Sequence, residues 1–358
     1  MDDTVLLATS RESMVAKFTA LKNAADSIGM VINNAKTQFL CINKNDTEPF
    51  TAGEVTVTHT SLYTYLGTPI SNSSIAEQAR CHLKSKTNHV LKFYSFLSKN
   101  CDAPYIAKKQ VWQSALKAAI FYSCETWITQ DLRTVESTYN MTLKSLLGVR
   151  GTTCNDIIYA ESGELDAKTY IRNLQASFLR KLISKEYYQG SYLEKVINLV
   201  IQTRCPAGRQ IQLLMSERHM DFNQRHYNRI SNSILTATNS TRRTAYKAVN
   251  PNLAVHKVYL SPEVPEKQRI AFTRIRLSSH HLAYETGRWS RISAEDRSCP
   301  CGAIQTDFHV LLQCPYTELS RRFHNIPNCQ ELADLFDSVS PISICALCYD
   351  ILTCANYK

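Results

Sequence analysis

The chain has 358 residues, long for one hydrophobic core and enough for two or three domains. Hydrophobic residues make up 44% of it, which excludes wholesale disorder, and the lack of any run of about eighteen apolar residues excludes an expected membrane span. A formal charge of +10 favours a polyanionic partner, RNA or DNA, although charge speaks to association and not to fold. Thirteen cysteines, an odd number, fit a reducing intracellular setting, nuclear and/or cytoplasmic, better than a disulfide framework. The N-terminus also lacks the basic and apolar regions of a secretory signal.

In chain order, the opening MDDTVLLATS places Asp2 and Asp3 before Thr4-Val5-Leu6-Leu7, the pattern of a tight turn feeding a buried β-strand. Carboxylates at such a turn hold Mg²⁺, a hard cation that takes oxygen ligands; the plainer reading is a solvated acidic terminus. Residues 10–28 read as an amphipathic helix, capped by Ser10, with Met14, Phe18, Leu21, Ala25 and Ile28 inward and Gly29 ending it. Two strands are expected at Met30–Asn33 and Gln38–Ile42, with Lys36 in the turn between them. Val55–His59 and Leu62–Leu66 follow as a hairpin leaving at Gly67-Thr68-Pro69.

Three of these stretches, DDTVLLA, GMVINNAKTQFL and TYLGTPIS, together resemble the palm of non-LTR (LINE-type) retrotransposon reverse transcriptases, in the same order and at compatible spacing. The resemblance implies that Asp2 and Asp3 belong to the catalytic hairpin. In the complete parent enzyme they would hold Mg²⁺ with an aspartate from an earlier strand, for a two-metal phosphoryl transfer. It implies that Lys36 lies near the incoming nucleotide and protonates the departing pyrophosphate, a role that needs a lysine with a lowered pKa. Tyr65, Leu66 and Gly67 match the strand that grips the primer terminus. Met1 stands where the residue before the aspartate pair is expected, so the chain is expected to begin inside the active site and to lack polymerase activity alone.

From Ser74 the pattern turns helical. Ser74 and Glu77 form a capping box, and Ile75, Ala79, Leu83, Val90, Tyr94 and Leu97 repeat down one face of a single helix. The same helix carries Arg80, Lys84, Lys86, Lys92 and Lys99. Directly after the grip-like strand it resembles the polymerase thumb, whose lysines touch phosphates without reading sequence. A helix over about 104–123 packs through Ile106, Trp112, Leu116 and Ile120, and another from Asp131 packs through Val135, Tyr139, Leu143 and Leu146 to Gly148. FYSCETW, at 121–127, resembles the stretch after the family's thumb, with Trp127 in the core and Glu125 a buried hydrogen-bonding partner. The glycines and threonines of 148–165 read as a linker or junction. Helices resume at 166–188, through Tyr170, Leu174, Phe178 and Leu182, and at 191–202, where Ser191 and Glu194 form another capping box. Arginines between 204 and 247 read as an exposed basic helix.

The last informative stretch is RSCPCGAIQTDFHVLLQCP, in which Cys299, Cys301, His309 and Cys314 supply three sulfurs and one imidazole. That is the ligand set of a closed structural Zn²⁺ site, with no position left for a catalytic water. An extended Cys-Pro-Cys sends alternate side chains to one side, Gly302 allows a sharp turn, and Pro315 stops the helix of His309. A comparable cluster is typical of the C-terminal region of the same retrotransposon family, and ETGRWSRISAEDRSC resembles its lead-in. Arg288, Trp289 and Arg291 precede it, an arrangement that suits single-stranded nucleic acid. Cys345, Cys348 and Cys354 lie in an apolar helix-like tail and read as core.

The expected architecture is therefore α+β at the N-terminus, a partial palm over 1–72, then mainly α-helical. A thumb-like region covers 73–150, a connector 151–287, a zinc knuckle 288–320 and a helical tail 321–358. The expected function is that of a C-terminal fragment of an RNA-directed DNA polymerase retaining its nucleic-acid-binding parts. The competing expectation is a stand-alone zinc-containing nucleic-acid-binding protein.

Overall fold

The computed structural model describes all residues except 1–3, 43–45, 130, 217–218, 239–240 and 358. Asp2 and Asp3 thus lie outside the described residues. The chain forms two compact units, one from residues 1–85 with 126–132, the other from 86–125 with 133–358.

The first unit holds α1 (Arg11–Ser27), five short strands and α2 (Ile75–Ser85). Ser10 caps α1 by accepting the Ser13 N–H at 3.2 Å, and Gly29, at φ +74°, ends it. Strand β1 (Gln38–Phe39) lies parallel to β3 (Val55–His59), whose other edge pairs antiparallel with β2 (Phe50–Ala52). Val55 and Val57 point inward and Thr56 and Thr58 outward, the period of two that half-buries a strand. Phe18 of α1 closes the small core against Phe50, ring edge to face, with Leu6, Ile32 and Phe39 around them.

Several expectations for this unit are corrected. Residues 4–8 are not a strand: Val5 and Leu7 are exposed and only Leu6 packs inward. Met30–Asn33 is not a strand either, and Ile28, Met30 and Val31 all face solvent. With no neighbouring strand among the described residues, this apolar run has nothing to pair with. Strand β4 (Leu62–Tyr65) pairs with β5 (Thr68–Ser71) instead of β3. Leu66 and Gly67, at φ 48° and 80°, make the two-residue turn whose twist suits a hairpin. Gly67 therefore turns the hairpin where an exit from it was expected.

The single long helix after Ser74 is two helices. The Ser74 hydroxyl does accept the Glu77 N–H, starting α2, but α2 ends at Ser85 and α3 (Thr87–Lys99) begins in the second unit. Ala79, Leu83 and Val90 are buried as expected.

In the second unit α4 (Tyr105–Val111) runs through a π-helical turn (Trp112–Lys117) into α5 (Ala118–Ile120). Trp112, Leu116 and Ile120 are buried, whereas Ile106 is exposed and Tyr105 takes the inward place expected of it. Glu125 is half-buried, not buried. Helix α6 (Arg133–Leu147) buries Val135, Tyr139, Leu143 and Leu146 and stops at Gly148, φ +75°. The expected junction at 148–165 instead contains α7 (Asn155–Ser162), with Ile157, Ile158, Glu161 and Ser162 in the interior of the unit. Then come α8 (Ala167–Ile183), α9 (Tyr192–Gln202), α10 (Pro206–Ser216), α11 (His219–Leu235) and α12 (Thr241–Val249). Helix α8 buries Ala167, Ile171, Ala176 and Leu179, leaving Phe178 exposed, so the face expected to pack is shifted around the helix. Helix α13 (Glu266–Arg276) packs on α17 (Pro341–Thr353), whose Cys345 and Cys348 are fully buried as core. Between these two lie α14 (Ala283–Trp289), α15 (Glu318–Phe323) and α16 (Leu332–Ser338). No described helix is long and apolar enough to cross a membrane.

Of the basic residues expected on an exposed helix, Arg204, Arg209, Arg225, Arg229 and Lys247 are exposed, spread over several helices and their connections, while Arg242 and Arg243 are half-buried. Arg229 reaches both Asp156 and Asp166, Arg243 reaches Asp156, and Arg242 pairs with the fully buried Glu285.

Candidate metal centre and its surroundings

The Cys-Pro-Cys segment is held by a short turn. Ser298 bridges Ile304, the Cys299 N–H donates to Ala303 O at 2.6 Å, and the Gly302 N–H donates back to Cys299 O at 2.8 Å. Gly302 carries the turn at φ +92°, a conformation that disfavours any side chain. His309 opens a π-helical turn (His309–Gln313), and Cys314 leaves it in an extended conformation with Pro315 next, the stop expected from sequence.

These pieces bring four ligand atoms within 4.8 Å of one another: the Sγ atoms of Cys299, Cys301 and Cys314 and one nitrogen of His309. Cys299 Sγ stands 3.6 Å from Cys314 Sγ, Cys314 Sγ 3.9 Å from Cys301 Sγ, and Cys301 Sγ 3.2 Å from His309 Nε2. A tetrahedron of ligands at about 2.3 Å from Zn²⁺ has edges near 3.8 Å, so this spacing fits a metal ion. The donor set could hold zinc, and the Cys299, His309 and Cys314 members are buried.

Cys299, Cys301 and His309 differ in how firmly they hold their protons. Burial pushes the Cys299 thiol up to about 12, so without a metal it keeps its proton. The Ala303 backbone N–H pulls the Cys301 thiol below its ordinary value. Burial, then the Arg321 charge, lowers His309 and keeps the imidazole neutral, the form that ligates. Metal binding would draw the remaining protons off the sulfurs. The Tyr357 hydroxyl, 43 residues downstream, donates to Cys314 Sγ at 2.9 Å, and Arg321 donates to Cys314 O at 3.0 Å. Neither contact is legible in the sequence, because each depends on how the tail folds back.

The other expected site residues are divided between the two units. Lys36 is exposed on its turn, its N–H held by Asn33. Tyr65, Leu66 and Gly67 form the tip of the β4–β5 hairpin. Arg80 pairs with Glu77 on α2, and Lys84 and Lys92 are exposed on different units. Arg288 is turned inward, 3.0 Å from Glu285, with its side chain only 14% exposed. Trp289 is half-exposed, with the guanidinium of Arg150 over its ring at 4.2 Å. Arg291 is exposed. Arg150 was hidden from sequence reasoning by its place in the supposed linker.

No protein-family model matches this chain, and no curated protein matches it.

Proposed function

We propose that this chain is the C-terminal part of a non-LTR retrotransposon reverse transcriptase and that it holds nucleic acid on a basic, helical body stapled by zinc. The observation that carries the reading is the convergence of Cys299, Cys301, His309 and Cys314 within 4.8 Å. That cluster follows a lead-in and three N-terminal motifs that resemble the family in order and spacing. The metal acts structurally, since three thiolates and an imidazole complete a tetrahedron. The exposed Lys84, Lys92, Trp289 and Arg291 provide phosphate contacts and a stacking face.

On this reading the purified chain binds RNA or DNA oligonucleotides with steep salt dependence and does not extend a primer. Binding survives Asp2→Ala and weakens on chelation. Absence of binding at low salt, or zinc-free protein with unaltered folding and binding, would refute it. Template-dependent synthesis by this chain would show instead that Asp2 and Asp3 work with a complete catalytic site. In that case Asp2→Ala abolishes synthesis.

A further inference from the structure

A cleft of about 480 Å³ opens in the second unit between the start of α7's approach loop, α13 and α17. Its lining includes Arg150, Lys267, Arg274, His280, His281 and Tyr349, and none of its lining residues is acidic. That volume lies within the usual range for ligand sites, roughly 300–1,000 Å³. We propose that this cleft binds a phosphate of a single-stranded polynucleotide, through Arg150, Lys267 and Arg274 with His280 at its wall. The inference rests on the nucleic-acid reading above.

Three observations carry it. First, three cations line one cleft, and the only carboxylate whose charge acts notably on Arg150 is that of Glu285, already paired with Arg242 and Arg288. Lys267 has an exposed partner in Asp102 at 3.4 Å, a surface pair of small worth, and Arg274 uses its Nε on Gly148 O at 2.8 Å. Second, two buried nitrogen atoms of the lining residues, Arg150 Nη1 and His280 Nδ1, have no hydrogen-bond partner. The His280 side chain is only 1% exposed, and its other nitrogen lies 2.9 Å from Asp307 without the alignment of a hydrogen bond. Arg150 Nη1 is a buried donor, which costs stability when it has no partner, and an anion in the cleft would satisfy it. Third, burial lowers the pKa of both Arg150 and Arg274, with Arg150 adding to the effect on Arg274. A phosphate between them relieves that repulsion.

The surroundings favour a polynucleotide over a free anion. The half-exposed Trp289 stacks on Arg150 itself, and Arg291 is exposed two residues on. A guanidinium stacked on an indole beside a phosphate site suits a nucleotide whose base is unpaired. A cleft of this size admits a nucleotide of a single strand but not a duplex.

The test measures fluorescence anisotropy of a labelled twelve-nucleotide oligo-dT with the full chain across a salt series. Lys267→Gln combined with Arg274→Gln alters two solvent-facing side chains, and circular dichroism checks that the fold persists. A matched control, Lys185→Gln with Lys195→Gln, removes the same charge from exposed positions elsewhere. The cleft variant is expected to bind about tenfold or more weakly and to lose about 1 to 1.5 from the slope of log K against log salt, given about 0.7 per phosphate on single strands. The control should change far less. Equal losses in both variants, or none in the cleft variant, overturn the cleft while leaving the nucleic-acid reading in place. No binding by the wild-type chain overturns that reading and the cleft with it. Displacement of the oligonucleotide by millimolar inorganic phosphate alone, or tighter binding of a duplex, overturns the single-strand assignment.

Discussion

Glu161 and Arg276 are 115 residues apart in the chain, yet the Arg276 Nε donates to the Glu161 carboxylate at 2.8 Å with both side chains at most 1% exposed. Arg276 Nη2 donates to the second oxygen at 3.0 Å, and the hydroxyls of Tyr246 and Tyr259 each donate at 2.8 Å. Burial alone would raise the carboxyl's pKa, but the Arg276 charge and these four donors reverse it and hold it below the ordinary value. The pair ties α7 to α13 inside the second unit, where the expected linker becomes part of the core.

Removing one partner from such a pair leaves an uncompensated buried charge. Arg276→Met and Glu161→Gln are each expected to cost about 3–5 kcal/mol. The double variant should cost clearly less than the two losses added together. Urea unfolding followed by circular dichroism reads this directly, and midpoints that stay within error of wild type would show that the interior does not depend on the pair.

Metal removal should act through one site. Purified chain is expected to carry about one zinc ion, and Cys301→Ser should lower that content and the thermal midpoint together. Cys348→Ala should leave the metal content unchanged, because that thiol is buried in α17 with its pKa pushed up by burial. Metal content by atomic emission decides between the two groups of cysteines. Loss of zinc in Cys348→Ala with the fold intact would mean that the ligand set is misassigned.

The clustering of Cys299, Cys301, His309 and Cys314 into a group that could hold a metal ion was legible because all four lie close together in sequence, where residue type and spacing carry the chemistry. The helix α1 was legible for a similar reason: Ser10, Phe18 and Gly29 mark its start, inner face and end locally. What failed was pairing at a distance. Val55–His59 and Leu62–Tyr65 are both strands, but nothing local says that each pairs with a different neighbour. Nor does the sequence of 148–165 show that its polar-looking helix carries Glu161, because the arginine that makes burial tolerable lies far downstream. Trp289 and Arg288 illustrate the same limit, since adjacent residues of one motif end up respectively half-exposed and turned onto Glu285.

Helices α9 and α10 approach closely at Gly208. A methyl group there would stand 2.2 Å from the carbonyl oxygen of Val200, a backbone atom that cannot swing aside. Gly208→Ala is therefore expected to destabilise by about 1–3 kcal/mol, although alanine is the better helix former. Gly151→Ala, with open space at the same position, is the comparison. A lower thermal midpoint for Gly208→Ala but not for Gly151→Ala is the expected result, and the reverse order would contradict the close approach.

Acid stability should fall through Asp166. Its burial favours the neutral acid, but His226 Nδ1 at 2.8 Å, the Thr169 N–H at 2.7 Å and Arg229 at 3.0 Å outweigh that and bring its pKa down to about 2. An unfolded aspartate titrates near 3.9. Because the folded value is depressed, the contribution is complete above about pH 5 and is lost as the pH falls toward 2, a change of about 2–3 kcal/mol. Asp166→Asn removes the titration but keeps the helix cap of α8, since asparagine caps as well as aspartate and the Thr169 N–H still has an acceptor. Urea midpoints measured from pH 6 to pH 2.5 should therefore fall less steeply for Asp166→Asn than for wild type, the two curves converging at the acid end. Parallel curves would mean that other carboxylates, not Asp166, set the acid limit.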